Sequence, residues 1–286
     1  APPPPTPPPP RPPPPTPPPP IPVLTRSALD AAINEYKSNS DYRLGGKTID
    51  QWDVRGVSDM SSLFKDETAF NGDVSAWDVS SATNMNKMFM STSSFNQDLN
   101  NWDVSSVTDM AQMFEESSIY YGIGDWDVSS VVTTEKMFQR AEHFTGYHPG
   151  FPKNWLSLQT ANRMFAYSKF NYHDLVWQTP QLTSMRKMFY NAQEFNNRPT
   201  WDTSKVTSMK YMFAADTGGM RIEGNHYFDL RSMPSDGLDN IFDNVLYDAE
   251  PVVKLYGTNI WAAKKDGQGT MFHLNNDGSK VWTTYY

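Results

Sequence analysis

One phrase of fourteen residues recurs at a fixed interval: QWDVRGVSDMSSLF over 51–64, AWDVSSATNMNKMF over 76–89 and NWDVSSVTDMAQMF over 101–114. The apolar letters are kept while the others change. Trp52, Trp77, Trp102, Trp126, Trp177 and Trp201 align, and Phe228 takes the same place in FDL. Twelve residues after each tryptophan stands Phe64, Phe89, Phe114, Phe138, Phe189 or Phe213, always behind Leu or Met. Phe165 and Phe242, with irregular lead-ins, complete eight copies of about 24–29 residues between Ile49 and Val245. A period in this range is the signature of a solenoid, in which no copy buries its apolar face alone and stacked copies do.

The spacing inside a copy predicts its shape. Trp102 and Val104 alternate with Asp103 and Ser105, as in a short strand with one face inward. From Thr108 the period lengthens, and Met110, Met113 and Phe114 fall at helical spacing. Phe70, Phe95, Phe144, Phe170 and Phe195 follow in the return, often as Phe-Asn, where Asn suits a turn. The expected fold is an α/β repeat solenoid with one short parallel strand and one short helix per copy.

Four segments follow: an arm over 1–22, a capping helix over 23–48, the eight repeats over 49–247 and a β cap over 248–286. In the second, Ser27 can cap a helix whose apolar positions are Ala28, Leu29, Ala32, Ile33 and Tyr36. In the last, TMFHLNNDGSKVWTTYY sets two β-prone runs around Asn-Asp-Gly, a hairpin signal. In the first, Pro2, Pro3, Pro4 and Pro5 lead to Thr6; Pro7, Pro8, Pro9 and Pro10 lead to Arg11; Pro12, Pro13, Pro14 and Pro15 lead to Thr16; and Pro17, Pro18, Pro19 and Pro20 complete the run. Proline fixes φ and has no N–H, so this arm is predicted to be a polyproline II rod, roughly 65 Å long at ~3.1 Å per residue. Tetrads repeat every five residues against three per turn, so Thr6, Arg11 and Thr16 point to different sides, and a partner grips the rod itself or sugars on it.

The motifs WDVSSVTDMAQMF and FNQDLNNWDV resemble the BspA-like leucine-rich repeats of surface proteins, over roughly Ala28 to Val245. The resemblance implies a leucine-rich-repeat-like solenoid on exported proteins, with adhesion the usual suggestion and no enzymatic residues to carry over. Two departures stand out: an insertion in GYHPGFPKNWLSLQTANRMF that shifts Trp155 out of register, and Gln178 in place of the usual Asp. Both copies are expected to be bulged or exposed. The proline tetrads resemble, by composition, the hydroxyproline-rich modules of extensin-like wall glycoproteins.

Charge and composition narrow the function. The net charge of −8 argues against nucleic acid, no basic run suggests a membrane surface, and no apolar stretch approaches the ~18–20 residues of a bilayer span. The absence of cysteine excludes disulfides, thiolate metal sites and a cysteine nucleophile. Ala1 stands where a mature chain would begin after signal removal, which fits secretion to an extracellular surface. No Asn-x-Ser/Thr sequon occurs, so sugar is expected on hydroxylated proline or on Thr6 and Thr16.

The aligned Asp53, Asp78, Asp103, Asp127 and Asp202, with Asp229 beyond, are the first candidate binding residues. Stacked at strand spacing they form a carboxylate row, suited to a basic ligand or a cation, or else to closing each turn by accepting from a nearby N–H or hydroxyl. Calcium wants six or more oxygens, and no local loop supplies them. The fifteen methionines, at helical spacing beside Phe, read as core filler rather than a soft-metal site. His143, His148, His173, His226 and His273 offer no zinc spacing, and no nucleophile elbow, phosphate loop or dinucleotide fingerprint appears. The expectation is therefore no cofactor, no metal and no enzymatic activity.

Polyproline II docks in aromatic-lined grooves at low entropic cost, and fourteen tyrosines and nine tryptophans exceed what the core needs. The arm is expected to lie on a neighbouring copy of the chain, with Arg11 against part of the acidic face. A head-to-tail contact that does not close a ring builds a filament. The leading expectation is a fibril or wall-layer subunit. The alternative is an adhesin whose strand face binds a foreign protein or carbohydrate while the arm acts as a spacer.

Overall fold

The computed structural model describes residues 23–121, 123–147, 150–172, 176–195, 197 and 200–216, and in addition the backbone of five strands nearer the C-terminus. The proline arm, Ile241 and Phe242 lie outside the described residues. One helix, α1 (Arg26–Ser38), opens the chain and buries Leu29, Ala32 and Ile33. Its N-cap is Thr25 rather than Ser27: Thr25 is extended, at ψ 163°, and its Oγ1 accepts from the Ala28 N–H at 3.3 Å. A cap must stand outside the helical conformation, and Ser27 is already inside it. Tyr36, from the same face, meets Trp52 and Phe70 edge-on at 6.1 Å each.

The Met-x-x-Met-Phe segments form no helix. In the second copy every N–H from Met85 to Thr92 is accounted for. Those of Met85, Lys87, Phe89 and Ser91 donate to the carbonyls of Asp109, Ala111, Met113 and Glu115 in the next copy, at 2.7–3.0 Å. Those of Met88, Met90 and Thr92 turn back to Met85, Lys87 and Phe89, and Asn86 donates to Asn84 Oδ1. Alternate amides thus close tight turns while the others tie copy to copy, which leaves none for an i→i−4 helix. The geometry places a left-handed residue twice in each of the first six copies and once in the seventh, so that thirteen non-glycine residues among those described have positive φ, including Ser62, Lys87, Gln112, Lys136, Arg163, Lys187 and Tyr211. Each left-handed residue costs roughly 1–2 kcal/mol, offset by the cross-copy bonds it permits. A side-chain spacing of three then one fits a helix and this turn ribbon equally, so the period alone misled.

The parallel pairing also sits elsewhere than expected. It runs through Asp59, Asn84, Asp109, Thr133, Thr160, Ser184 and Ser208, each bridged to the next. The Trp-Asp-Val corner lies between two turns, with the Trp102 N–H on Leu99 O and the Val107 N–H on Val104 O. Among the described residues it becomes a strand in two copies, β1 (Val176–Trp177) and β2 (Thr200–Trp201), paired in parallel with Trp177 opposite Trp201.

Inside, the repeated aromatics form columns. Phe64, Phe89, Phe114, Phe138, Phe165, Phe189 and Phe213 stack in order, with centroids 5.5–5.8 Å apart and planes within 14°. Phe70, Phe95, Phe144, Phe170 and Phe195 each lie 3.8–4.0 Å from the preceding phenylalanine of their own copy. Ile119 is buried in the intervening copy, which has no such phenylalanine. Met85, Met88, Met110, Met113, Met185 and Met188 are fully buried, so these methionines are core. Each early tryptophan also ties one copy to the one before: Trp77, Trp102 and Trp126 donate Nε1–H to Ile49, Val74 and Leu99 carbonyls at 2.7–3.1 Å. Trp155, in the copy expected to be bulged or exposed by the insertion, is fully buried: Phe151 supplies a ring at 5.8 Å and Pro152 O accepts its Nε1–H.

Toward the C-terminus β3 (His226–Asp229) pairs in parallel with β4 (Val253–Tyr256), His226 opposite Val253. Then β5 (Ile260–Lys265), β6 (Gln268–Leu274) and β7 (Lys280–Thr284) continue the sheet in antiparallel fashion. The runs before and after Asn-Asp-Gly are β6 and β7, paired from Thr270↔Thr284 to Leu274↔Lys280.

Candidate functional site

The aspartate row occupies the Trp-Asp-Val corner. Asp78, Asp103, Asp127 and Asp202 are exposed, and each accepts from the backbone N–H of the serine two residues on, at 3.0–3.2 Å. Ser80 and Ser105 add their hydroxyls at 2.6 Å. These hydroxyl bonds, then the backbone N–H bonds, hold the carboxyls of Asp78 and Asp103 below the ordinary carboxylate range. The charge of Asp103 pushes Asp78 the other way, a lesser effect than its serine or Arg55. Asp53 differs: it pairs with Arg55 at 3.0 Å, and its carbonyl accepts from the Leu24 N–H. The row is therefore an outward line of turn-closing carboxylates, and the side chain of Asp229 lies outside the described residues. Gln178, where Asp is missing, is exposed, and its N–H donates to Lys153 O.

Three features escaped the sequence. One is the face that the turn ribbons present, which carries their variable residues. From the fourth to the seventh copy this ribbon face carries Lys136, Arg140, Arg163, Arg186, Lys187 and Lys210 against Glu135 and Asp216, whereas the first three ribbons carry Lys65 and Lys87 against Asp59, Asp66, Glu67, Asp109, Glu115 and Glu116. The alignment of those positions is visible in the sequence once the true repeat unit is known.

A second is a cleft of about 670 Å³ at the insertion, lined by Asp125, Asp127, Phe151, Pro152, Lys153 and Tyr172. It depends on two glycines: a Cβ on Gly124 would stand 3.1 Å from the Gly150 backbone, and Gly150 has φ +142°. Tyr120, Tyr121 and Tyr147 are exposed nearby in sequence, at 38–43%.

The third is Arg26. In every later described copy the carbonyls at this ladder accept from the copy before, but the first copy has none before it. Arg26 fills that place, donating from Nη1 to Asp59 O and from Nη2 to Ser61 O at 2.8 Å each. Its Nε meets Asp30, and Lys37 pairs with Glu67 at 3.0 Å, so α1 is fastened along the open edge.

Of the histidines, His143 is exposed, His148 and His173 lie outside the described residues, and His226 and His273 are described as strand backbone. Among the described residues no three His, Asp or Glu side chains converge as a metal site would require. No helix among them is long and apolar enough to cross a membrane.

A chain of near-identical copies, bonded amide to carbonyl at a constant offset around columns of phenylalanine, is a repeat protein. The family described as Mycoplasma protein of unknown function, DUF285, matches residues 32–151 and 152–220, and the chain belongs to it. No curated protein and no solved structure matches the chain.

Proposed function

We propose that this chain is a non-enzymatic structural and interaction protein of an extracellular surface, a subunit of a fibril or wall layer. Its copies stack as a leucine-rich-repeat-like solenoid of the BspA kind, and its proline arm docks on a neighbouring subunit. The observation that carries this reading is the division of labour among its aromatics. Phenylalanine and tryptophan are buried in columns from copy to copy, while Tyr120, Tyr121 and Tyr147 are left on the outside. Exposed tyrosines are the surface that grips polyproline II, whose starting entropy is already low. The arm joins the body at Val23 and Leu24, against Gly56 and Asp53, so it leaves from the first copy at the head of the aspartate row. A subunit gripping its neighbour in this way is heterologous, and repetition yields a filament. Hydroxylated, glycosylated prolines on the arm would solvate and stiffen such a coat.

The alternative, an adhesin with the arm as spacer, draws on the exposed row of Asp78, Asp103, Asp127 and Asp202, a ready face for a basic partner. Electron microscopy of the full chain beside a chain lacking residues 1–22 separates the two. Fibrils from the full chain and folded monomers from the shortened one are expected. Assembly that persists without the arm removes the docking proposal.

A further inference from the structure

We propose that the ribbon face of the last four described copies binds an extended anionic polysaccharide, its carboxylates lying on a file of cations that the fold holds in place. Successive ribbons are bonded amide to carbonyl, from Lys136 to Asn162, from Arg163 to Arg186 and from Lys187 to Lys210, at 2.8–2.9 Å. Lys136, Arg163 and Lys187 therefore occupy one column, and the phenylalanines beneath them step 5.5–5.8 Å per copy. That is a single file of positive charge with a step comparable to one sugar of an extended chain.

The cations are positioned rather than loose. Lys187 Nζ sits over the Tyr190 ring at 4.5 Å and the Tyr211 ring at 5.1 Å, and the Arg140 guanidinium lies 5.1 Å over Tyr167. Asp216 in turn fastens two of those rings, accepting from the Tyr167 and Tyr190 hydroxyls. Side chains already ordered lose less entropy when they meet a ligand. No carboxylate among the described residues pairs with Lys136, Arg163 or Arg186, so the file lacks internal neutralisation there. A cleft of about 490 Å³ flanks it, lined by Arg140, Tyr167, Lys169 and Asn191 with Glu142 and Glu194, and its amide and hydroxyl groups suit sugar hydroxyls.

A single-stranded nucleic acid would also meet cations, but its binding sites add open rings on which bases stack. Here the tyrosine faces are occupied by Arg140 and Lys187.

The test is affinity electrophoresis of the full chain in gels holding polygalacturonate, neutral dextran or oligo-dT, at low and high salt. Retardation by polygalacturonate alone is expected, falling steeply with salt as released counterions lose their advantage. The Lys136→Gln/Arg163→Gln/Lys187→Gln variant should bind at least about tenfold more weakly, as three lost contacts to a polyanion require. The Lys136→Gln/Arg163→Gln variant, which leaves the Lys187–tyrosine contacts intact, should show an intermediate loss. A Glu35→Gln/Asp41→Asn variant should bind like the parent. No retardation by polygalacturonate, unchanged binding by both lysine–arginine variants, or tighter binding to oligo-dT would each overturn the proposal.

Discussion

Asp103 and Ser105 show how a repeated dipeptide does local work. Ser105 donates both its N–H and its hydroxyl to one carboxylate oxygen, at 3.1 and 2.6 Å, which stabilises the ionised form and lowers the carboxyl pKa below its usual value of 3.8. Because the folded pKa lies under the unfolded one, the contribution to stability is complete above the ordinary carboxylate pKa. It disappears as the pH falls through the folded value. Replacing Ser105 with Ala removes the larger of the two causes, so Asp103 should titrate closer to 3.8 while its backbone bond persists. Carboxyl-carbon NMR across the acid range reads this directly, and an unmoved titration would show that the hydroxyl is not the cause. Asp59 and Asp73 repeat the device with Ser61 and Ser75. This chemistry was legible in the sequence, since Asp-x-Ser needs only two residues of reach. The left-handed residues were not: Lys87, Gln112 and Arg163 carry none of the glycine or asparagine that marks positive φ.

At the level of elements, α1 is a helix as its spacing suggested, whereas the ribbons are not. Helix α1 was visible because thirteen residues with a cap and an apolar face are enough to declare one. The ribbons were not, because their partners lie about 24 residues away and a period within the copy says nothing of them. The apolar positions themselves were read correctly, since either conformation turns Met110, Met113 and Phe114 inward. The first ribbon's outer edge was invisible for the same reason, and Arg26 is its substitute for a missing copy. Replacing Arg26 with Met keeps the helix but leaves the Asp59 and Ser61 carbonyls without their charged donor. The side chain is one-third exposed, so water takes up part of the loss, and destabilisation of about 1–3 kcal/mol is expected. Hydrogen exchange should place that loss in α1 and the first copies, as nearest-neighbour coupling in repeats requires. Uniform loss across all copies, or none, would show that Arg26 does not seal the edge.

Across the described residues, the apolar positions that repeat are directed inward and most of those that vary are directed outward. The two outer faces therefore differ in charge: carboxylates along the Trp-Asp-Val corner, and cations along the later ribbons. The repeat period revealed the first face, because its Asp is part of the repeated phrase. It hid the second, whose lysines and arginines are what each copy changes. The proline arm lies outside the described residues, and the proposal that it reaches another subunit is open to direct test. Assembly can be interrogated by adding a synthetic peptide of residues 1–22 in excess to the full chain and following sedimentation velocity. If arms occupy sites on neighbouring subunits, the free peptide competes for them and the fast-sedimenting species give way to monomer as its concentration rises. An unchanged distribution at saturating peptide, with assemblies still present, would contradict arm-mediated assembly.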